Sequence, residues 1–387
     1  MAERRHPDPE TGLIHQLASD IGPRPSASPE ERAAARLISS RLADMGLHPL
    51  TESFRSQRSF GPTYLLVFSL ALLAGPLGRF SRLAAGFSAF SSLLLGLGEL
   101  RFPARSPLNL LRTKTSQNVT ATIEPAGECR QTICLVSHMD SSRSGLMFHP
   151  SVTPSLGKLV EATTAAVLVN AISTLLPGRR AVRSAGSLAR AAICAAAAVV
   201  LHREVRGINV AGANDNASGV AASLCLARCL VDQPLEHTRV VVLVTGSEES
   251  GVIGMREFLA STDTEGWVFL NFDGVSADAP LRVLSRENGP LGPRPDKELL
   301  DAADLVGRRS PELRARPLED GSGLPYDATP VLVRGGRAIS IVNQEGAIPD
   351  YHWPTDTVEK ISEAAFSRAV RFACELVEDL DTAVSET

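Results

Sequence analysis

The sequence predicts an α/β fold in which helices cover both faces of a mixed, mostly parallel β-sheet, giving a three-layer α/β/α sandwich. The first observation behind this prediction is that, from Gly207 onward, short apolar runs alternate with helical patterns, which is typical of parallel strands buried on both faces. The second is size, since 387 residues with 44% hydrophobic content can form a large buried core.

The N-terminal part of the chain carries helix and strand signals. Ser28 suits the N-cap of a helix, Pro29 suits the first helical position, and Glu31 suits the acidic position of a capping box. We therefore predict a helix that ends near Gly46. The segments that follow predict strands at 51–56, 116–125 and 131–138.

Beyond Gly207, strands and helices are predicted in regular alternation. The strands are predicted at 208–214, 238–246, 266–273 and 337–342. The helices are predicted at 216–231, 252–260, 296–306 and 361–380. The alternation favours one continuous sheet rather than separate all-α and all-β domains.

Four apolar runs predict two helical hairpins. They cover 61–78, 83–98, 162–178 and 191–201, and arginines separate the two runs of each pair. A helix that spans a membrane needs about 20 apolar residues, with a range of about 17 to 25, and only the first run comes near that length. Two interpretations stay open: the hairpins associate with a membrane, or they are apolar inserts that cover the sheet, form a lid or make a dimer interface.

The overall composition excludes one class of partner and bears on the cellular location. The net charge is −4, from 39 basic and 43 acidic residues, and no basic stripe with interleaved aromatic residues occurs, so nucleic acid is not an expected partner. None of the six cysteines forms a CxxC pair, which indicates buried thiols. The first residues lack a continuous apolar segment, so no cleavable signal peptide is predicted and the expected location is membrane-associated or cytoplasmic.

Polar side chains follow several of the predicted strands at the point where each strand ends. Because ligands of parallel sheets bind beyond the carboxyl ends of the strands, these side chains are the ones expected to carry chemistry. In chain order they are His138, Asp140, Asp215, Glu248, Glu249, Asp273 and, in a loop after the last strand, His352.

Histidine together with several carboxylates is a ligand set suited to zinc, whose catalytic sites keep one position open for water. The candidate ligands are His138, Asp215, Glu249, Asp273 and His352. Five are too many for one open site, whereas two ions that share a bridging carboxylate would use them all. The sequence therefore predicts two Zn²⁺ ions, and Co²⁺ or Mn²⁺ as substitutes, since carboxylate-rich sites accept them.

The ordered motifs HMD, DNASG, EE, NFD and YHWPTDT resemble those of the co-catalytic zinc aminopeptidases of metallopeptidase family 28. The resemblance runs from about Leu13 to the C-terminal helix and excludes the four apolar runs. It implies the zinc exopeptidase fold, with a zinc peptidase domain formed by 1–60, 101–157 and 202–387. The apolar helical-hairpin inserts are then 61–100 and 158–201, and we expect them to pack together as a four-helix unit.

The resemblance also implies how the five ligands divide between the two ions. Asp215 would bridge both ions. His138 and Asp273 would complete one site, and Glu249 and His352 would complete the other.

Two further residues receive catalytic roles from the resemblance. Glu248 would be the general base, taking a proton from a metal-activated water and passing it to the leaving amine. Asp140 would orient the imidazole of His138. The chain is accordingly expected to be an aminopeptidase that removes N-terminal residues from peptides with a free N-terminus. Tyr326 and Asp327 lie in a segment that resembles the wall of the substrate pocket.

The motifs leave other functions open. Glutaminyl cyclases are acyltransferases that resemble this family but typically use one zinc ion, so the full five-ligand set favours hydrolysis. A noncatalytic binding or scaffold protein built on the peptidase fold is expected to have lost ligands or the base, whereas here every one of those positions is filled. Dipeptidase and carboxypeptidase activity are also compatible with the motifs.

Overall fold

The computed structural model describes residues 11–385, apart from 177, 179, 290–291, 314, 320–323 and 347. The first ten residues, for which no signal peptide is predicted, lie outside the described residues. The same is true of Arg179 in the basic connection between the third and fourth apolar runs.

The centre of the described structure is an eight-stranded mixed sheet. Its strands are β1 Leu50–Ser56, β2 Lys114–Ile123, β3 Gln131–His138, β4 Thr238–Thr245, β5 Val268–Phe272, β6 Leu281–Arg286, β7 Arg316–Glu319 and β8 Arg337–Asn343. Their order across the sheet is β1-β2-β4-β3-β5-β8-β6-β7. The four central strands β4, β3, β5 and β8 run parallel, so their carboxyl ends meet at one edge. Strands β2, β6 and β7 run antiparallel to this central group, whereas β1, which pairs antiparallel with β2, runs in the same direction as the group.

Helices cover both faces of the sheet. They are α1 Gly12–His15, α2 Pro29–Asp44, α3 Gly61–Leu77, α4 Arg82–Glu99, α5 Leu156–Leu175, α6 Arg180–Arg206, α7 Gly219–Asp232, α8 Ile253–Ser261, α9 Lys297–Arg309, α10 Ala328–Val333 and α11 Glu363–Ser385. Residues of α2, α7, α9 and α11 contribute to the core on one face, and residues of α8 and α10 contribute to the core on the other. The predicted α/β/α sandwich is confirmed.

Strand β4 shows why the apolar runs of this sequence become central strands. Val240, Val242 and Val244 belong to the core on one face, while Val241 and Leu243 belong to the core on the other. Because successive side chains of a strand point to opposite faces, a strand covered on both sides must be apolar at every position, and all five residues are buried.

Two local predictions were wrong. Residues 208–214 form no strand, and only an isolated bridge joins Asn209 to Arg143. Gly212 interrupts the run with a φ of +62°, and a side chain there would come within 2.4 Å of the Asp215 carbonyl oxygen. The next helix begins at Gly219 rather than Asn216, because the backbone at Asp215 and Asn216 is not helical.

The four apolar runs form helices α3 to α6, which pack together as a four-helix bundle. Its interior includes Val67, Phe68, Ala71, Val167 and Ile193. Among the described residues, the stretches Thr153–Leu175 and Arg180–Arg206 are long and apolar enough to cross a membrane, whereas the apolar helix Gly61–Leu77 is shorter.

Buried arginines attach the base of this bundle to the sheet domain. The Arg203 guanidinium donates to Ser59 Oγ at 2.8 Å and lies 4.2 Å from the centre of the Phe60 ring. Arg256 of α8 pairs with Glu99 at the end of α4, with 2.9 Å between Nη1 and Oε2. Both connections lie at one end of the bundle, so the hairpin turns project away from the sheet.

Candidate metal centre

The structure brings the seven predicted site residues together at the carboxyl edge of the central strands, and five of them form two groups of donor atoms. The first group is His138, Asp215 and Asp273, whose donor atoms all lie within 4.8 Å of one another. His138 is the last residue of β3, and its Nε2 lies 3.2 Å from Asp215 Oδ1 and 3.7 Å from Asp273 Oδ2. Asp273 follows directly after β5. All three side chains are buried.

The second group is Asp215, Glu249 and His352, which are likewise buried and mutually close. His352 Nε2 lies 3.1 Å from Asp215 Oδ2 and 3.2 Å from Glu249 Oε2. The two groups share Asp215, and its two carboxylate oxygens face different imidazoles. This is the arrangement that a bridging carboxylate requires.

The donor set fits divalent zinc. Each imidazole presents Nε2 to carboxylate oxygens, and N and O donors at such separations are those that zinc binds in proteins. Glu249 Oε1 is buried and has no hydrogen-bond partner. Since buried polar atoms without a partner are rare in folded proteins, this oxygen is available to a cation.

Burial and neighbouring charged groups shift the pKa values of the side chains in the centre. Burial raises the pKa of Glu248 well above its ordinary value, and together with Asp215 it raises the pKa of Asp273 to about 6. For Asp215, burial is outweighed by the His138 and His352 imidazoles, which hold the pKa of this carboxyl well below its ordinary value. Burial is outweighed in His352 as well, where Glu249 and Asp215 raise the pKa of the imidazole to about 9. Protons on the imidazoles therefore supply positive charge that a bound metal would supply instead.

Comparison with protein families identifies the class of enzyme. The sequence model described as peptidase family M28 matches residues 196–377, a segment that contains four of the five candidate ligands and Glu248. Residues 196–377 thus match peptidase family M28. This match, together with the two donor groups, supports a zinc-dependent peptidase, a hydrolase that acts on peptides. A sequence search among curated proteins finds no match.

Solved structures of two aminopeptidases and a glutaminyl cyclase have a similar fold. A zinc aminopeptidase from Bacillus subtilis is 14% identical with a TM-score of 0.59, over 98% of this chain and 96% of that one. An aminopeptidase from Aneurinibacillus sp. strain AM-1 is 16% identical with a TM-score of 0.59, over 96% and 93%. The glutaminyl cyclase of Porphyromonas gingivalis is 12% identical with a TM-score of 0.57, over 96% and 98%. The predicted zinc exopeptidase fold is confirmed.

Asp140 contacts more than His138. The nearest partner of His138 Nδ1 is the Asp140 carbonyl oxygen at 3.1 Å, while the Asp140 carboxylate lies at 3.5 Å. That carboxylate accepts the backbone N–H groups of Glu248 at 3.1 Å and Glu249 at 3.2 Å, and the hydroxyl of Ser26 at 2.6 Å. Asp140 thus links the end of β3 to the loop that carries the two adjacent glutamates.

Three supporting residues were missed by sequence reasoning. Asp356 accepts the N–H groups of Asn214 at 2.7 Å and Asp215 at 3.0 Å. Glu31, predicted only as a capping residue, also accepts the N–H of Ser247 at 2.8 Å. The motif YHWPTDT contained Asp356, whereas no local pattern connects Glu31 with Ser247.

Arg24 is the third of these residues and is completely buried. Its guanidinium donates to the carbonyl oxygens of Leu17, Gly22, Met139, Ala211 and Gly212. It therefore ties the N-terminal segment to both loops that lead into the metal centre. Its partners are backbone carbonyls distant in sequence, so no residue pattern could have indicated them.

Aromatic and acidic side chains border the centre. The Tyr351 ring stacks on His352 with 3.9 Å between centroids, and Phe148 meets the same imidazole edge-on at 4.4 Å. Asp327 is buried and accepts the hydroxyl of Thr245 at the end of β4. Burial, with contributions from Asp140 and Asp273, raises the pKa of Asp327 to about 7.

Proposed function

We propose that this protein is an aminopeptidase that holds two zinc ions and uses Glu248 as its general base. The observation that carries the proposal is the pair of buried donor groups that share Asp215. His138 and Asp273 would hold one ion with Asp215, and Glu249 and His352 would hold the other. Two ions bridged by one carboxylate are the arrangement of many metal-dependent hydrolases.

Zinc at such a site supplies Lewis acidity, since it acidifies water and polarises a carbonyl group. Glu248 directly precedes the ligand Glu249, and Asp140 holds the backbone N–H of both residues. Glu248 would accept the proton of the attacking water and transfer it to the amine that leaves. Asp140 would act as a positioning residue, because it fixes the loop and contacts the ring of His138.

Cleavage at the N-terminus is the direction that we propose for this site. Four carboxylates, Asp215, Glu248, Glu249 and Asp273, line the buried centre. A free substrate α-amine would be held by one metal and a nearby carboxylate, which would restrict cleavage to N-terminal residues. The aminopeptidases among the similar folds support this direction of cleavage.

The experiment is turnover of a panel of aminoacyl anilides by Glu248→Gln, with the zinc content of each sample measured. We expect turnover to fall by roughly 10²–10⁴-fold, the usual contribution of a general acid–base group, while zinc content stays that of the wild type. Glu128→Gln is the matched control, since Glu128 is exposed and distant in the fold. Wild-type turnover in Glu248→Gln would remove this residue from the base role.

A glutaminyl cyclase is the second candidate, because a cyclase has a similar fold over nearly the full length of both chains. Incubation with a peptide that begins with glutamine separates the two functions. An aminopeptidase releases free glutamine, whereas a cyclase releases ammonia and leaves a pyroglutamyl peptide. Ammonia release with one zinc ion per chain would favour the cyclase over the aminopeptidase.

A further inference from the structure

The outer surface of the four-helix bundle is apolar on all of its helices. Most of the exposed large hydrophobic side chains among the described residues belong to α3 to α6 and their turns. They are Tyr64, Leu66, Leu73, Phe80, Leu83, Phe87, Phe90, Leu94, Leu97, Leu100, Leu159, Leu168, Val169, Ile172, Leu175, Leu176, Leu188, Leu201 and Val205. Soluble proteins rarely expose a contiguous apolar surface of this extent.

The interior of the bundle, by contrast, contains small and polar residues beside its apolar core. Asn170 is buried and donates to the Ala71 carbonyl at 2.9 Å. Ser88 and Ser92 are also buried and donate to carbonyls of α3 at 2.6 Å and 2.8 Å. Gly186 lies so close to Ser173 that a side chain there would clash with its hydroxyl. Small residues and interhelical hydrogen bonds inside, with large apolar residues outside, are typical of helices that pack within a membrane.

The charges on the bundle are distributed just as unevenly. The hairpin turns carry exposed arginines, which are Arg79, Arg82, Arg180 and Arg183. No aspartate or glutamate occurs in 61–98 or in 162–203. Glu99 and Glu204 lie at the base, where they pair with Arg256 and Arg203. The projecting end is therefore purely cationic, which matches the anionic headgroups of a phospholipid surface.

We propose that this bundle is a membrane domain, embedded in a bilayer as two helical hairpins with the arginine-bearing turns among phospholipid headgroups. Helices α3 and α5, of 17 and 20 residues, are about 26 and 30 Å long at 1.5 Å per residue, close to the hydrocarbon thickness of about 30 Å. A bilayer covers all four outer faces at once. A second copy of the chain would cover one side and leave the others in water.

Two native cysteines report directly on this arrangement. Cys194 is exposed in the middle of α6, and Cys129 is exposed in the sheet domain. Membranes from cells that express the full chain are washed with alkaline carbonate, opened to expose both sides and treated with a water-soluble maleimide. We expect the chain to stay in the membrane pellet. Cys129 should be labelled by the maleimide, whereas Cys194 should stay unlabelled because the bilayer covers it. After unfolding in sodium dodecyl sulfate, both cysteines should react.

Every other outcome contradicts the proposal. Release by carbonate would show that the bundle is not embedded, and a released dimer with Cys194 protected would identify a second copy of the chain as its cover. Labelling of Cys194 in the washed pellet would also overturn it, because water would then reach the apolar surface.

Introducing a charged side chain on the outer surface of the bundle gives an independent test. Phe87→Arg alters a side chain that is 76% exposed on α4, and Leu305→Arg alters one that is 57% exposed on α9. In water both substitutions would be tolerated, since neither side chain is packed. In a bilayer the arginine at 87 would face hydrocarbon, so we expect loss of Phe87→Arg from the carbonate-resistant membranes and retention of Leu305→Arg. Equal retention of both variants would overturn the proposal.

Discussion

Asp140 connects two segments that bring side chains to the metal centre. Its carboxylate accepts two backbone N–H groups and the Ser26 hydroxyl, while its carbonyl contacts His138. An asparagine at this position keeps only one acceptor oxygen and turns an N–H₂ group toward a buried donor. The carboxylate is therefore needed for the geometry of the loop as well as for its charge.

We predict that Asp140→Asn lowers the free energy of unfolding by about 1–3 kcal/mol, the cost of a buried donor without a partner. Turnover should fall by roughly 10–100-fold, as for other residues that support metal ligands. Ser26→Ala is the matched control, because it removes one donor and leaves both backbone bonds intact. Denaturant unfolding and steady-state kinetics measure the two effects, and an Asp140→Asn enzyme equal to Ser26→Ala would contradict the assignment.

Ionisation of Asp327 makes the free energy of unfolding depend on pH. Burial raises the pKa of this carboxyl from 3.8 to about 7, so the folded chain holds a proton there that the unfolded chain has released. Stability is then lost as the pH rises from about 4 through about 7, by at most about 4 kcal/mol at 1.36 kcal/mol per pKa unit.

We predict that Asp327→Asn removes this loss, because the amide stays neutral at every pH. The free energy of unfolding of wild type and variant should be similar near pH 4.5, and the variant should become the more stable protein toward pH 7.5. Both are measured in chelator, so that zinc binding does not contribute. Parallel pH profiles would show that Asp327 is ionised in the folded chain.

Among the helices and strands, the sequence predicted best the strands that are buried on both faces of the sheet. Strands β3, β4, β5 and β8 were predicted because their runs are apolar at nearly every position, and only a strand covered on both faces requires that. Strands β6 and β7 were not predicted, since β7 is a four-residue strand at the edge of the sheet and β6 carries polar, partly exposed residues among its apolar ones. The incorrect strand at 208–214 had the right composition, but the backbone conformation of Gly212 prevents an extended run.

The candidate site was predictable for a different reason. His138, Asp273 and the glutamates after β4 follow central strands directly, so the parallel order of those strands brings them to one edge. Asp215 was predicted to follow a strand at 208–214 that does not form, and the motif DNASG indicates the same residue independently. Arg24 and Glu31 could not be predicted, because they act through hydrogen bonds to distant segments rather than through a local pattern.

The attachment of α4 to α8 depends on one largely buried ion pair. Arg256 and Glu99 are 4% and 13% exposed at their side chains, and Arg256 also donates to the Pro103 carbonyl. Removal of one partner leaves the other charge buried and unpaired. We predict that Arg256→Ala lowers the free energy of unfolding by about 3–5 kcal/mol.

The control for this prediction is Arg308→Ala on α9. Arg308 pairs with Asp304 one turn away and is 78% exposed, so its loss should cost about 0.3–0.5 kcal/mol. Denaturant unfolding of both variants in the same medium makes the comparison. A cost for Arg256→Ala as small as that of the control would show that the pair does not hold the bundle to the sheet domain.

For the whole molecule, the metal centre couples function to stability. Its ligands come from the ends of β3 and β5 and from the loops that carry Asp215, Glu249 and His352, so zinc would tie together segments from most of the chain. Zinc at 100 times its dissociation constant stabilises a folded protein by about 2.7 kcal/mol for each site. We predict that chelation lowers the melting temperature and that added zinc restores it.

Two variants show whether this effect arises at the proposed site. Asp215→Asn should abolish the response to zinc, since both donor groups lose a carboxylate. Glu248→Gln should keep the response, because Glu248 belongs to neither group. Calorimetry of the wild type and both variants, with and without chelator, measures the change in melting temperature. A zinc response that survives Asp215→Asn would place the stabilising metal elsewhere.

The two-ion centre depends most on the shared role of Asp215, and diffraction at the zinc absorption edge tests that role directly. We predict two anomalous peaks about 3.5–4 Å apart, one beside the imidazole of His138 and one beside that of His352, with Asp215 between them. A single peak in zinc-saturated crystals, or two peaks that do not both contact Asp215, would contradict it.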